Sequence, residues 1–525
     1  MRTGLRHACV LTLAAMRLAV SSNPTCSNPH VTIGAAKVMV RGDVGYDAAR
    51  LSQFAQYLGT AGDASTRLRP ALVVYCTDEA HVQSAVQFAG LCGYKVTVRS
   101  GGHSYTGSSS CNFQSCMQLD LTGMNATSFQ GATITAQPGV RLVDFATATA
   151  KHFLSVPHGG CGGVGLGGHL QSSAWGMMSH SHGSGLDHVV SFRMVLANGT
   201  VLVASRSDPD PTVYKSVLGS APGSWGIITE YKLAGVPDLD APFTRMMIVT
   251  IPYSRANFLA AFKHAQFVMM DQETRMLRDM KLLLVAEPPT DSGDDTVCYI
   301  KVFCLWTGVD SGQMTATWTQ LYLQPFHDIG SKPFPSSFNI PMTLSLATRL
   351  MATRFTNHND RYSVQAFHSD HWWGDDFLEM MADEVDERVA MIPDVYPSFQ
   401  FLPLGMNTQW ARNAGMNALT WRDTRAYVDD WMFVKNESAY PAVRERMRNF
   451  REKTKPYWRH SDGSERQTWM SPMTTYDNST NLRNATIARQ FFPDQSQFQR
   501  LQELKARLDP TDLFSNMGTI PLPSR

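Results

Sequence analysis

The chain has 525 residues, of which 43% are hydrophobic and 17% are charged, and its formal net charge at pH 7 is +1. This length exceeds that of a usual single domain, so two lobes or an interleaved pair of domains are expected. Basic runs are absent, which argues against nucleic acid as a partner because a polyanion would meet no electrostatic attraction.

Residues 1–22 resemble a secretory signal peptide. Arg2 and Arg6 precede an apolar run from Ala8 to Val20, which Arg17 interrupts, and two serines follow it. No later run approaches the ~20 apolar residues that span a bilayer. The sequence therefore predicts a secreted protein without a membrane span.

Disulfides and N-linked glycans would fit a secreted chain. Cys111 with Cys116, and Cys298 with Cys304, are close enough in sequence for local bridges. The spacing does not fix the connectivity, and buried reduced cysteines are the alternative. The sequons begin at Asn125, Asn198, Asn436, Asn478 and Asn484.

Strands and helices alternate in the predicted elements up to residue 157. Residues 41–47 and the polar stretch after them predict a helix that leads to the first βα unit. A helix over Asp78–Gly93 is capped by Thr77 or Asp78 and ends at Gly93, and a second helix covers Val140–His152. The predicted strands are Ala71–Cys76, Lys95–Arg99, Met117–Leu121, Ala132–Ala136 and Phe153–Pro157.

A turn that carries one histidine directly follows the strand Lys95–Arg99, in the sequence Arg99-Ser100-Gly101-Gly102-His103-Ser104-Tyr105. Two adjacent glycines let the backbone adopt angles closed to other residues and approach a ligand closely. Successive N–H groups of such a turn can face an anion such as a pyrophosphate. The stretch therefore predicts a cofactor loop at the end of a strand.

A second glycine-rich stretch spans Pro157 to His169 and contains seven glycines, Cys161 and further histidines. No packed helix or strand has that composition. Part of it, Gly163–Gly168, satisfies the Gly-x-Gly-x-x-Gly pattern of dinucleotide-binding folds, with Asp187 near the usual acidic position. That alternative is disfavoured because residues 171–176 do not continue as a clean amphipathic helix.

Taken together, the Arg-Ser-Gly-Gly-His loop and the Gly-x-Cys-x-x-Val-Gly-x-Gly-Gly-His loop resemble those of the berberine bridge enzyme-like oxidases, a branch of the vanillyl-alcohol oxidase superfamily. In that family, FAD is tethered twice. The resemblance implies that Nδ1 of His103 bonds the flavin 8α carbon and that the Cys161 sulfur bonds carbon 6. The further cofactor-binding residues that it implies are Arg99, Ser100, Gly101, Gly102, Ser104, Val164, Gly165, Gly168, His169, Gly226 and Ile227.

These residue types suit covalent attachment of a flavin. A neutral imidazole nitrogen can attack the electrophilic tautomer of the 8α methyl group, and a cysteine adds as a thiolate. Backbone N–H groups in a glycine-rich turn are expected to favour the thiolate of Cys161 by stabilising negative charge. Val164 stands where the family's oxidases carry a small residue that admits oxygen, which favours an oxidase, although plain packing would also select a valine.

Five histidines, from His158 to His188, raise the possibility of a metal site. Neither His-Glu-x-x-His nor paired Cys-x-x-Cys is present, so no metal is predicted. His169 matches the family's Gly-Gly-His and is expected to be a structural residue that is hydrogen-bonded near the flavin.

A hairpin is predicted after the second loop, from Leu186–Leu196 and Thr200–Ala204, because Asn198-Gly199 suits a two-residue reversal. A helix near Pro211–Leu218 follows it. Residues Gly223–Glu230 then lead into a strand and resemble the family segment that closes the FAD domain.

The sequence pattern changes between residues 237 and 465, where long helical segments alternate with strand-like runs. This region resembles the family's α+β substrate domain. The predicted helices are Ala256–Met270, Ser311–Leu323 and Phe377–Met391, and the predicted strands are Thr244–Ile251, Lys281–Ala286 and Val297–Leu305. Gln409–Val434 resembles the segment that brings sheet residues over the flavin. Trp421 and Arg422 at its centre are therefore the predicted substrate-contacting residues.

Residues 466–525 are expected to return to the FAD domain, through a helix over Gln495–Leu508 and an ending, Asp509–Asn516, that is close to the family pattern. The predicted fold class is α+β. It combines a PCMH-type FAD-binding domain of two subdomains over residues 41–236 with an inserted substrate domain over residues 237–465, whose antiparallel sheet is covered by helices.

Tyr476 is the predicted catalytic base. The sequence Tyr476-Asp477-Asn478-Ser479 keeps the first tyrosine and the asparagine of the family's Tyr-x-Asn-Tyr motif. Ser479 replaces the second tyrosine, which serves as the base in some members, so that role does not transfer. A structural tyrosine that bonds a loop is the alternative.

The function predicted is that of a secreted FAD-dependent oxidase with O2 as acceptor and H2O2 as product. Its substrate would be a small molecule, and it would be oxidised at a hydroxyl or C–H group of a carbohydrate, alcohol or specialised metabolite. Two alternatives stay open, namely a flavin-dependent oxidative or non-redox cyclase, and a secreted non-catalytic flavoprotein on the same scaffold. No motif names the substrate.

Overall fold

Four β-sheets and the helices that cover them make up the part of the chain that the structure describes. This computed structural model describes residues 24–34, 37–50, 68–111, 115–270, 278–286, 298–307, 320, 324–329, 338–353, 361–405, 408–466, 481–516 and 518–524. The signal peptide predicted over residues 1–22 lies outside them, as does all but residue 320 of the predicted helix Ser311–Leu323. Among the described helices, none is long and apolar enough to cross a membrane.

The strands and helices are numbered in chain order within the described residues. The strands are β1 Lys37–Val40, β2 Leu72–Tyr75, β3 Lys95–Arg99, β4 Cys116–Asp120, β5 Thr127–Gln130, β6 Thr133–Ala136, β7 Leu154–Ser155, β8 Val189–Val195, β9 Val201–Ser205, β10 Ile227–Ala234, β11 Val236–Pro237, β12 Arg245–Pro252, β13 Arg278–Ala286, β14 Cys298–Trp306, β15 Phe338–Pro341, β16 Arg361–Ser369, β17 Val395–Pro403 and β18 Ala426–Val434. The helices are α1 Pro24–Ser27, α2 Pro29–Thr32, α3 Tyr46–Ala49, α4 Glu79–Cys92, α5 Leu142–Lys151, α6 Leu166–Ser172, α7 Ser179–His182, α8 Thr212–Val217, α9 Arg255–Met270, α10 Gln324–Ile329, α11 Leu344–Thr353, α12 Asp375–Val389, α13 Gln409–Arg412, α14 Tyr440–Thr454, α15 Ala485–Phe491 and α16 Gln495–Leu508.

The first sheet has the strand order β1-β2-β4-β3, in which β2 and β3 run parallel to β4. Helix α4 packs on it, and both predicted ends of that helix are confirmed. The Asp78 side chain accepts a hydrogen bond from the His81 N–H at 2.9 Å, and Gly93 follows the last turn with a φ of 72°. β3 ends at Arg99, as predicted, directly before the first glycine turn.

Two predicted elements are shorter than the sequence indicated. The helix expected from residue 41 begins only at Tyr46, because Gly42 and Gly45 adopt φ values of 107° and 88° that a helix does not contain. The strand expected over residues 153–157 spans only two residues, and Phe153 before it has a φ of 56°. In both places the backbone turns at residues for which the sequence pattern alone predicts a regular helix or strand.

The second sheet has the strand order β5-β6-β10-β8-β9 and contains the predicted hairpin. β8 and β9 pair antiparallel up to Val195 opposite Val201, and Gly199 in the connecting turn has a φ of 80°. Glycine adopts this left-handed conformation without strain. β8 begins at Val189 rather than at Leu186, because residues 185–188 form one turn of 3-10 helix.

The third large sheet is antiparallel and has the strand order β15-β12-β14-β13-β17-β18-β16. Successive side chains of a strand point to opposite faces of a sheet. One face packs on α9 and α12 through side chains that include Leu282 and Phe401. Their chain neighbours Lys281 and Gln400, with Asp429 on β18, belong to the other face. This sheet and its helices confirm the predicted α+β fold.

Within the described part of the chain, the disulfides are Cys26–Cys92 and Cys111–Cys116, of which the second is one of the two predicted local bridges. The other predicted bridge, Cys298–Cys304, is wrong. Both residues lie on β14, and six residues of extended strand span roughly 20 Å, whereas a disulfide requires Cα atoms within about 7 Å.

The C-terminal segment packs against the first two sheets. α16 has the predicted bounds and lies in the same core as β8 and β10. Its Lys505 is fully buried, and Nζ donates to the Asp509 carboxylate at 2.6 Å and to the carbonyls of Ser224 and Phe514 at 2.8 and 2.7 Å. After α16, Phe514 pairs with Val96 on β3, the strand that precedes His103.

We expect Lys505→Met to lower the free energy of unfolding by about 3–5 kcal/mol, because the buried carboxylate of Asp509 loses its cation. Guanidinium-induced unfolding followed by circular dichroism measures this loss. Arg500→Ala is the control, since its ion pair with Asp494 at 3.5 Å is exposed on the same helix and such pairs contribute about 0–1 kcal/mol. Equal losses in the two variants would contradict the role given to Lys505.

Candidate functional site

The two glycine-rich loops contact each other through glycine. A Cβ atom on Gly101 would lie 2.4 Å from the Gly165 nitrogen and 2.6 Å from the Gly163 carbonyl oxygen, and one on Gly165 would lie 2.3 Å from the Gly101 nitrogen. Cβ atoms essentially never approach backbone atoms so closely. The absence of a side chain at both positions therefore sets the distance between the loop of His103 and the loop of Cys161.

A cavity lies between these two loops and the seven-stranded sheet. It encloses about 1540 Å³, part of it open to solvent, and both His103 and Cys161 line it. Of the residues predicted to bind the cofactor, all except Arg99 line this cavity. The start of β10, with Gly226 and Ile227, completes the same wall.

Arg99 lies behind the first loop and stabilises it. Its buried guanidinium pairs with the Asp120 carboxylate at the end of β4 and donates to the Ala49 carbonyl at 2.6 Å. The Ser100 hydroxyl donates to the Pro138 carbonyl at 2.5 Å. These bonds fix the strand end from which the His103 turn begins.

His169 is a neutral, structural histidine. Its Nε2 accepts a hydrogen bond from the Gly159 N–H at 3.3 Å, and burial lowers the pKa of its imidazole to about 3. It thereby connects the beginning and the end of the second loop. In the first loop, the Ser104 hydroxyl plays a similar part by accepting a hydrogen bond from the Ser108 N–H at 3.1 Å.

The sheet supplies a polar wall that the sequence analysis missed. Lys281 on β13, Gln400 on β17 and Asp429 on β18 line the cavity with exposed fractions of 5%, 5% and 1%. Gln400 and Asp429 are direct partners across two neighbouring strands. The signal that could have found them is a polar residue inside an otherwise apolar strand, as where Lys281 precedes three leucines.

Burial changes the protonation of this wall. It lowers the pKa of Lys281, an effect that electrostatic interaction with Cys161 and Asp429 opposes, and it raises the pKa of Asp429 well above the usual carboxylic range. The Tyr427 hydroxyl donates a hydrogen bond to the Asp429 carboxylate and limits that rise. A carboxyl group whose pKa is raised toward neutrality can exchange protons at physiological pH.

The surroundings of Cys161 disfavour its thiolate. Burial raises the pKa of this thiol to about 11, and the Lys281 ammonium opposes the rise. The expectation that backbone N–H groups would favour the thiolate is wrong for the described contacts, because the group that lowers the pKa is the lysine of the sheet opposite.

The predicted substrate-contacting residues, Trp421 and Arg422, lie outside the cavity wall. The Trp421 ring is buried, with its centroid 4.6 Å from that of Trp410 and 5.3 Å from that of Tyr427. Arg422 lies 4.5 Å above the Trp410 ring. Their contact with substrate stays a prediction, and in the structure they support the strand that carries Asp429.

Asp187 pairs with Arg422 and accepts hydrogen bonds from Asn413 and Asn417 at 2.8 and 2.9 Å. It is therefore a buried structural carboxylate and not the ribose-binding acid of a dinucleotide fold. Tyr476, the predicted catalytic base, lies outside the described residues. Within those residues, no three His, Cys, Asp or Glu side chains are grouped to hold a metal ion.

Comparison with known proteins identifies an FAD-binding region. Residues 70–205 match the family model described as an FAD binding domain. The chain is 36% identical over 173 residues to a carbohydrate oxidase of Microdochium nivale. That alignment covers 32% of this chain and spans only 34% of the length of the relative.

Solved structures resemble the chain over nearly its whole length. Berberine bridge enzyme from Eschscholzia californica superposes with a TM-score of 0.76 at 18% identity, covering 94% of this chain and 98% of that one. A glucooligosaccharide oxidase of Acremonium strictum gives a TM-score of 0.75 at 18% identity and covers 96% and 100%. These comparisons confirm the predicted fold and the resemblance to berberine bridge enzyme-like oxidases.

The cavity wall suits FAD. Gly168 lines it, and no atom lies within 4 Å of the position that a Cβ would occupy there, so a ligand can approach the backbone. The buried indole N–H of Trp431 also lines it and has no hydrogen-bond partner. His103 and Cys161 add the two nucleophiles that the predicted attachment requires.

We expect Gly165→Ala to separate the two loops, because its Cβ would meet the Gly101 nitrogen at 2.3 Å. Overpacking of this kind destabilises by about 1–3 kcal/mol, and the flavin that co-purifies should decrease. The ratio of flavin to protein absorbance measures the effect. The control is Gly90→Ala, on the exposed side of α4, where a Cβ meets no atom within 4 Å. A normal flavin content in Gly165→Ala would show that the loop contact does not determine the site.

Proposed function

We propose that this protein is an FAD-dependent oxidase that holds its flavin by two covalent bonds and oxidises a hydroxyl group of a carbohydrate. The observation that carries the proposal is that His103 and Cys161, from two separate loops, line one cavity whose opposite wall contains the buried carboxyl group of Asp429. Similarity to a carbohydrate oxidase and to a glucooligosaccharide oxidase supports the substrate class.

His103 and Cys161 are the residues that would hold the flavin ring, through Nδ1 at the 8α carbon and through sulfur at carbon 6. Bound FAD supplies an acceptor for hydride and transfers the electrons to O2, which gives H2O2. Val164 at the cavity wall, three residues after Cys161, is the residue past which O2 would reach the ring. Because two covalent bonds would hold the flavin, the site can stay open toward a bulky substrate.

Asp429 is the proton acceptor that the geometry favours. Its carboxyl group is buried at the cavity wall, the Tyr427 hydroxyl donates to it, and Gln400 lies opposite it on the next strand. In this role the carboxylate removes the proton of the substrate hydroxyl as hydride leaves the neighbouring carbon. Tyr476 is the second candidate base, on the basis of the Tyr-x-Asn pattern.

The walls of the cavity suit a sugar. Trp175 and Trp431 line it with flat aromatic rings, which offer large contact areas to the faces of sugar rings. The Gln400 amide can both donate to and accept from hydroxyl groups. A substrate without hydroxyl groups would leave these buried polar atoms unpaired, which disfavours its binding.

Secretion is part of the proposal. The two disulfides, Cys26–Cys92 and Cys111–Cys116, are stable in an oxidising compartment. The sequon asparagines Asn125, Asn198 and Asn484 are exposed and accessible to a glycan. The leader-like residues 1–22 would direct the chain to the secretory pathway.

A flavin-dependent cyclase is the second candidate function, favoured by a cavity wall that joins aromatic rings to a proton acceptor. An oxidase releases one H2O2 for each dehydrogenated product, whereas a non-redox cyclase releases none. A non-catalytic flavoprotein would show no bleaching of the flavin by any substrate. The presence of both His103 and Cys161 argues against a non-catalytic flavoprotein, since covalent tethers have little use without redox chemistry.

We expect oligosaccharides to bleach the flavin anaerobically and to yield stoichiometric H2O2 with O2, measured by a peroxidase-coupled assay. Asp429→Asn should slow the bleaching by about 10²–10⁴-fold, the usual contribution of a general base. In the unsubstituted enzyme, the bleaching rate should rise with pH to an inflection above ~4, the ordinary pKa of aspartate, because the ionised form is the base and burial raises its pKa.

Tyr476→Phe is the companion variant. If it retains the pH profile and the rate while Asp429→Asn loses both, Asp429 is the base. The reverse result would transfer that role to Tyr476. If no tested carbohydrate or alcohol bleaches the flavin, the oxidase proposal itself is contradicted.

A further inference from the structure

Formation of the bond between Cys161 and the flavin requires a thiolate, and the surroundings of Cys161 oppose one. The residue packs against a cluster of aromatic side chains that includes Tyr105, Tyr362 and Trp431. In such surroundings the thiol stays protonated at neutral pH, and only the thiolate is a nucleophile. Another residue must therefore supply positive charge and another must take the proton.

Lys281 is placed to supply that charge. Among the described residues that line the cavity, it is the one lysine or arginine, and Asp429 is the one carboxylate. Both are at least nine-tenths buried and both interact electrostatically with Cys161. The ammonium group is therefore held inside the protein and is poorly screened by water.

We propose that Lys281 is the residue that activates Cys161 for attachment to the flavin, by stabilising the thiolate while the Asp429 carboxylate takes the thiol proton. This inference rests on the proposed function, since it presupposes the Cys161 tether. It gives Lys281 a role in maturation of the enzyme that is separate from the turnover of substrate.

The attachment balances with O2 as the oxidant that the proposed activity already uses. The Cys161 S–H bond breaks, with its proton going to Asp429, and the sulfur forms a bond to carbon 6 of the ring. The hydrogen that carbon 6 carried leaves as a second proton. The two electrons and two protons released reduce one O2 to H2O2, so one S–H and one C–H bond are exchanged for one C–S bond.

The other charged groups near Lys281 do not replace it. Asp279, two residues earlier on the same face of β13, is bonded to the Ser181 hydroxyl and to the N–H groups of His180 and Ser181 at 3.0 and 3.1 Å. Its charge is thus committed to α7. His169, also at the cavity wall, is neutral. Lys281 itself interacts electrostatically with both Cys161 and Asp429.

The test uses the full chain with His103→Ala, in which covalent flavin can be held by Cys161 alone. This variant is compared with His103→Ala/Lys281→Met and His103→Ala/Lys281→Arg. FAD content is measured before denaturation, and the mass of the denatured chain then reports the fraction that carries covalent FAD. Methionine matches the length of lysine and removes its charge, whereas arginine keeps the charge.

We expect Lys281→Met to lower the covalent fraction at pH 7 by about tenfold or more, because the thiol stays protonated. Lys281→Arg should restore most of it. Raising the pH during incubation of the Lys281→Met protein should also increase attachment, since the fraction of thiolate rises with pH. A lysine with a purely structural role would give neither the rescue by arginine nor the rescue by pH.

Equal covalent fractions in His103→Ala and His103→Ala/Lys281→Met would overturn the role of Lys281 and leave the proposed function intact. No covalent FAD in His103→Ala itself would instead overturn the Cys161 tether, and this inference with it. If the Lys281→Met double variant binds no FAD before denaturation, Lys281→Met with His103 intact decides by peptide mapping. Flavin on the His103 peptide with an unmodified Cys161 supports the proposal, and flavin joined to both overturns it.

Discussion

Contact between two backbones at Gly101 and Gly165 is the constraint on which the rest of the site depends. With no Cβ on either residue, the loop after β3 and the loop before α6 lie closer than any other residue type would allow. Each loop is anchored behind this contact, the first by the Arg99–Asp120 pair. The consequence is that one nucleophile from each loop, His103 and Cys161, meets the same cavity.

The seven-stranded sheet contributes buried polar and ionisable side chains to the cavity. Because side chains alternate along a strand, one face can be an apolar core against α9 and α12 while the other presents Lys281, Gln400 and Asp429 to the cavity. Burying a lysine and an aspartate together contributes little to stability, since desolvation offsets their attraction. Their presence in the cavity wall fits the roles proposed above, proton acceptance for Asp429 and a stabilising charge for Lys281.

The sequence predicts local elements well where a cap or a turn residue marks their ends. The ends of α4 follow from Asp78 and Gly93, and β3 ends where the glycine turn begins. α16 follows from the strong periodicity of residues 495–508, and the hairpin follows from Asn198-Gly199.

The cofactor loops are recognisable because their glycines are consecutive in sequence. The polar wall is not, because its members come from three strands that are more than a hundred residues apart from first to last and meet only through strand order. Trp421 and Arg422 were predicted to contact substrate because residues 409–434 resemble the family segment over the flavin. In the structure both lie outside the cavity wall, and Trp421 packs in a core with Trp410 and Tyr427.

The claim that one flavin is bonded to both loops is tested most directly by peptide mapping of the denatured, alkylated protein. We expect a single flavin-containing species in which the peptide with His103 and the peptide with Cys161 are joined through one FAD. Recovery of the two peptides separately, with Cys161 alkylated and His103 unmodified in protein that had bound stoichiometric FAD, would contradict it.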